Sequence, residues 1–275
     1  MKTINLNTFE EFEQWVNELK AKQAASRKES GRNYSSLLFR GHAEESWGLQ
    51  TTLERFSPNI TKLDQYMYTA EKIRYQVELH AGNSWDPILE NGEIRETDKK
   101  SIGMHADIPS PEYLVYLRHH SFPSPLLDWT RSPYIASLFA FSDCGGTGNI
   151  AIFVYQEYLG RSKLCSSDST FIQNIGPHIK THKRHTLQQA QYTICLQSSK
   201  ARSALPYDIK SHETQSGGDR QDTIYKITIP KSEKLKVLIK LEQFNLNLYS
   251  ILGSEEALMS TLATREFLLV HGVER

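Results

Sequence analysis

The sequence predicts a mixed α+β domain, a central sheet with helices and with helical decoration in its N-terminal half. Three observations lead there. Apolar residues recur at helical spacing over residues 8–22 and 62–79. Runs rich in β-branched and aromatic residues at 150–155, 192–196 and 223–229 read as strands. The 275 residues show no repeat, no low-complexity linker and no compositional seam, so 1–275 reads as one domain opening with a helix and a polar loop over 1–30.

The elements follow in order. Thr8 is an expected N-cap, with Glu11 completing a capping box, and Phe9, Phe12, Trp15, Val16 and Leu19 make one apolar face. Residues 22–33 are polar and are expected as a loop. Residues 36–40 are short and apolar and stop at Gly41, which fits a buried strand. Residues 46–53 fit a strand or a turn, and 93–109 read as irregular. Pro111 opens a helix to His120, and Ser132 or Pro133 starts a helix that is apolar on most sides. Residues 198–221 read as a surface excursion and 232–248 mix strand and helix signals. Ser254 heads a last capped helix, and 266–271 reads as a late strand or a tail.

Composition excludes several classes. Lys+Arg and Asp+Glu are both 32, so no global field draws in nucleic acid or a membrane. Cys144, Cys165 and Cys195 are far apart and show no metal-ligand spacing, which points to a reducing compartment and no metal. No stretch approaches the roughly 20 apolar residues of a membrane span. The expected location is cytoplasmic. Glycine-rich phosphate loops, the Gly-x-Ser-x-Gly elbow and His-Glu-x-x-His are all absent from the sequence.

Three segments carry candidate chemistry. Arg40 ends a buried strand, where a guanidinium needs a phosphate or carboxylate partner; Asp128 is one candidate, and Gly41 permits a bend or a close ligand. Residues 119–133 combine His119, His120, Asp128, Trp129 and Thr130 with turn formers. Asp128 and Thr130 stand where they can cap the following helix, or that helix N-terminus can face an anion. Residues 169–207 hold no Asp or Glu but do hold Lys180, Lys183, Arg184, Lys200 and Arg202, a local bias that suits phosphates or a solvated face.

These residues resemble those of a known family. Phe39-Arg40-Gly41-His42, with Trp47 after it, resembles the opening motif of FRG-domain proteins. Leu126, Leu127, Asp128, Trp129 and Thr130, followed by Ala136, Phe139 and Ala140, resemble the family's central signature, and Arg184, Gln188 and Tyr192 its third element. The resemblance runs from about residue 35 to about residue 265, and Ser121 and Ala190 stand where the pattern has glycine.

A weaker resemblance is to the ADP-ribosyltransferase core, which opens with an aromatic-Arg-Gly strand end and continues through a hydroxyl-bearing strand into an Ala/Phe helix. It implies an NAD-using transferase, such as a toxin or phage-defence effector, with a nucleic-acid or protein acceptor. Arg40 would hold the phosphates, Thr130 and His119 would orient the nicotinamide ribose, and Tyr192 or Trp129 would stack on the nicotinamide. Gln188 would bond a ribose hydroxyl, and Glu112 or Glu266 would supply the missing negative charge. Gly41, Asp128 and Arg184 complete the implied dinucleotide site. Two other readings stay open: a binding module without catalysis, and a nucleic-acid binder using residues 169–207.

Overall fold

Thr8 caps the first helix as expected. Its side chain accepts from the Glu11 N–H at 3.2 Å, but Glu11 Oε2 accepts from the Asn7 N–H at 2.8 Å and not from the cap's own N–H, so the expected capping box does not close. The computed structural model describes residues 1–95, 108–159, 170–176, 178–199, 205–214 and 222–270. Within it the helix α1 (Phe9–Ser30) runs through most of the expected loop. Its Ala, Lys, Arg and Gln residues are strong helix formers, and Gly31 ends it in the left-handed conformation.

An unexpected strand, β1 (Lys2–Asn5), precedes it. Then come β2 (Leu38–His42), α2 (Thr52–Phe56), α3 (Leu63–Ala81) and a small hairpin, β3 (Leu89–Glu90) with β4 (Glu93–Ile94). The middle holds α4 (Pro111–His119), β5 (Leu127–Thr130), α5 (Pro133–Ser142), β6 (Asn149–Glu157) and β7 (Thr170–Ile175). After these follow α6 (Lys183–Leu187), β8 (Ala190–Ser198), β9 (Tyr207–Ile209) and β10 (Asp222–Pro230). The chain closes with α7 (Lys234–Gln243), α8 (Leu248–Leu252) and α9 (Glu255–Ala263).

The architecture is mixed α+β. The central sheet runs β1-β10-β6-β2-β5-β8-β7, with β9 beside β8. Only the β1–β10 pairing is parallel among the described strands. Helices cover one face in two clusters. Phe39, Ile152, Val154 and Ile227 pack under α1, α5 and α7. Tyr192, Ile194 and Leu196 pack under α3 and α4. Alternation puts Leu38, Arg40 and His42 on the opposite face, with Trp129, Phe153 and Tyr155.

Three readings change. Residues 127–130 are a strand of the sheet, not a loop that caps α5. Leu127 and Trp129 alternate into the apolar cluster, and Ser132 Oγ does the capping, accepting from the Ile135 N–H at 3.3 Å. Residues 266–270 are not a late strand. Thr264–Val270 continues α9 as a π-helical turn, because Leu268 and Leu269 find apolar cover beside α7. The expected surface excursion over 198–221 instead holds β9, with Leu205, Ile209 and His212 buried, and expectations for residues 96–107, 200–204, 215–221 and 271 lie outside the described residues.

The two departures from the family's glycines differ in kind. Ser121 has φ 64° and ends α4, with the Phe122 N–H reaching the Leu117 carbonyl at 3.0 Å. Ala190 lies in β8 and has no such conformation. Ser121→Gly is expected to stabilise the fold by about 0.5–1 kcal/mol, the relief of left-handed strain less the added freedom of the unfolded chain. A denaturation midpoint that falls instead would count against this assignment of strain.

Candidate ligand-binding cleft

The ladder between β2 and β5 is one pair long, Phe39 opposite Thr130. Where it ends, Arg40 bridges the strands. Its Nη1 donates to the Asp128 carbonyl at 2.8 Å and pairs with Asp128 Oδ1 at 2.9 Å, while its Nε donates to His42 Nε2 at 3.0 Å. The pairing raised from sequence therefore exists. It has a third member, since Arg118 of α4 also binds Asp128 Oδ1. Arg118 carried no signal of its own; only the fold brings it to the carboxylate.

Two guanidinium groups on one carboxylate leave one net positive charge. Burial alone would raise the Asp128 carboxyl, but Arg118 and Arg40 outweigh it and hold the group far below the usual carboxylate range. Its side chain is nonetheless 44% exposed. Burial, and then the adjacent Arg40, pushes His42 down to about 3. A neutral His42 is what the geometry requires, because its Nε2 accepts from Arg40.

A cleft of about 970 Å³ opens above Arg40. Its floor holds Arg40, Gly41, Asp128, Trp129 and Thr130, and Gln188 stands in its wall. Arg40 Nη2 donates to no group among the described residues. The Arg40 side chain, 14% exposed, lines the cleft with that nitrogen uncommitted. Arg55 and Lys226 add two further cations, and Asp143 and Glu213 two further carboxylates. Lys226 Nζ sits 5.7 Å over the Phe153 ring.

Other expected residues are placed differently. The Thr130 hydroxyl is occupied, donating to the Gln188 carbonyl at 2.7 Å and accepting from the Ser132 N–H at 3.1 Å. Trp129 is 3% exposed, and its Nε1 donates to Thr193 Oγ1 at 2.7 Å. Thr193 Oγ1 in turn meets His212 Nε2 at 2.9 Å. Tyr192 is fully buried, with its hydroxyl 2.7 Å from His119 Nε2 and 3.1 Å from His185 Nδ1. Burial pushes His119 down to about 4, so it is neutral there at pH 7.

His119, Tyr192, Arg184 and Glu266 do not line the cleft. Arg184 Nε donates to the Leu252 carbonyl at 3.0 Å. Glu266 is exposed on the turn after α9, and Glu112 sits in the first turn of α4. The carboxylate missed from sequence is Glu213, whose Oε1 accepts from the Leu49 N–H at 2.9 Å. Nothing in its local sequence marks it. The acid-poor stretch divides: β7 and β8 are largely buried strands, while His178, Lys180, His182 and Lys183 are exposed between them.

The FRG domain model matches residues 35–145. This chain carries an FRG domain. The FRG match runs from the approach to β2 through α5, so it contains Arg40, His42, Arg118 and Asp128, the whole ion cluster. Arg184, Gln188 and Tyr192 lie beyond the FRG match. No curated protein and no solved structure matches the chain. Among the described residues no helix is long and apolar enough to cross a membrane, and no group of three or more His, Cys, Asp or Glu is placed to hold a metal ion.

Proposed function

We propose that the chain binds NAD in this cleft and transfers its ADP-ribose, in the manner of the ADP-ribosyltransferases its β2 motif resembles. The observation that carries the reading is Arg40 Nη2. It is a charged donor with no described protein acceptor, at the floor of a cleft of about 970 Å³, in a cluster of net charge +1. Such a volume suits a dinucleotide-sized ligand, and a fixed guanidinium suits a pyrophosphate.

In this reading Arg40 holds the phosphates while Asp128 and His42 hold Arg40. Gln188 faces the ribose. Glu213, fixed by the Leu49 N–H, supplies the negative charge beside the ribosyl cation that develops as the glycosidic C–N bond breaks. Nicotinamide leaves with the electron pair of that bond, and the acceptor, a protein or nucleic-acid nucleophile, bonds to the ribose carbon and gives up a proton.

Calorimetry with NAD, paired with an assay of nicotinamide release, tests this. Arg40→Ala is expected to weaken NAD binding about tenfold to a hundredfold, the worth of a charge-assisted bond. Arg40→Lys is expected to weaken it nearly as much, since an ammonium cannot serve His42, Asp128 and a phosphate together. No NAD binding by the wild-type chain would end this reading. The Arg40–Asp128–Arg118 cluster favours one alternative, a ligand-binding FRG domain without turnover. NAD binding with no nicotinamide release would identify it.

A further inference from the structure

Trp47 is 54% exposed in the wall of the cleft, yet the segment that carries it is held firmly. The Glu45 N–H donates to the Asn149 carbonyl at 3.0 Å, and Glu45 Oε2 accepts from Asn149 Nδ2 at 3.0 Å. The Trp47 N–H donates to the Glu44 carbonyl at 3.2 Å. Two residues on, Leu49 is fully buried and its N–H is held by Glu213. A Cβ at Gly48, between them, would stand 2.4 Å from Glu213 Oε1, so a side chain there would displace the carboxylate that holds the Leu49 N–H. The backbone is thus held on both sides of Trp47, and the indole stands half in water. A large aromatic surface held half in solvent forfeits apolar burial that a ligand can recover.

The neighbours of the indole say what kind of ligand. The His42 ring lies edge-on to Trp47, with centroids 6.1 Å apart. The same ring accepts from Arg40 Nε. One histidine thus spaces the indole from an arginine that also lines the cleft. A ligand that meets both groups carries an anion at one end and a flat π surface at the other. We propose that Trp47 is the base-stacking platform of the cleft, and that the ligand class is a nucleobase-bearing phosphate. The stacking role thereby falls to Trp47. Trp129 and Tyr192 are enclosed in the core. The inference rests on the cleft reading above and adds to it the place of the base.

The test is calorimetric titration of NAD into the full chain and into Trp47→Ala and Trp47→Phe, with a thermal melt of each protein. Base–aromatic stacking predicts NAD binding about tenfold to a hundredfold weaker in Trp47→Ala, within about threefold of wild type in Trp47→Phe, and unchanged melting in both. NAD affinity unchanged in Trp47→Ala overturns the platform and leaves the Arg40 reading standing. Equal losses in Trp47→Ala and Trp47→Phe also overturn it, because phenylalanine keeps a stacking face. A wild-type chain that binds no NAD removes both the cleft reading and this inference.

Discussion

Gly41→Ala is expected to destabilise the domain by about 3 kcal/mol or more, at the upper end of overpacking in a rigid core. A Cβ at Gly41 would stand 1.9 Å from the Ala136 carbonyl oxygen and 2.9 Å from both the Ala136 carbonyl carbon and the Ala140 nitrogen. All three atoms belong to the backbone of α5, so no side chain can swing aside. Either β2 or α5 must shift, and each is held by neighbours: β2 by five register pairs with β6, and α5 by the Ser132 cap and the cluster under α1 and α7. The sequence allowed Gly41 a ligand-approach role. In the structure its bare face meets a helix, and Gly41 borders the cleft together with Arg40 and His42. Urea denaturation of wild type and variant checks this. A midpoint within error of wild type would mean that β2 and α5 pack more loosely than these distances state.

Asp128→Asn is expected to lower stability by about 2 kcal/mol. Breaking a buried ion pair from one side costs about 3–5 kcal/mol, and the partial exposure of this carboxylate reduces that. The shape is kept, but Arg40 and Arg118 lose their shared counter-charge. The pH dependence has a definite sign. The folded carboxyl lies well below its ordinary value of 3.8. Its contribution is therefore complete above about pH 4, where the unfolded carboxyl is also ionised, and it drains away as pH falls from there toward the folded value. The histidines act over a higher range. His42 and His212 are pushed down to about 3 and His119 to about 4, each chiefly by burial, so the unfolded chain binds protons first as pH falls below about 6.5. Asp128→Asn should leave that upper limb in place and flatten the loss below pH 4. Urea midpoints at pH 7, 5 and 3 separate the two. An unchanged acid limb in the variant would remove Asp128 from the account of acid stability.

Much of the fold was legible because local chemistry and tertiary structure agree. Thr8, Ser132 and Ser254 cap the helices they precede, and the runs at 150–155 and 223–229 form the paired strands β6 and β10. Where tertiary context decides, the sequence misleads. Asp128 and Thr130 have the residue types of caps, but a Leu127/Trp129 alternation places them in the sheet. Arg184, Gln188 and Tyr192 share a motif, yet a β-strand turns Tyr192 into the core while Gln188 remains at the cleft. Arg40 and Asp128 could be matched in advance because a buried guanidinium demands a partner. Arg118, Glu213, Arg55 and Lys226 could not, since nothing in their local sequence distinguishes them from ordinary surface charge.

The most direct measurement is a crystal structure of the chain grown with saturating NAD. The expected result is pyrophosphate oxygens within hydrogen-bond distance of Arg40 Nη2, the Arg40–Asp128–Arg118 cluster intact beneath them, and a base against Trp47. A cleft without NAD at a concentration that saturates binding in solution, or NAD seated where it does not touch Arg40, would contradict the central claim.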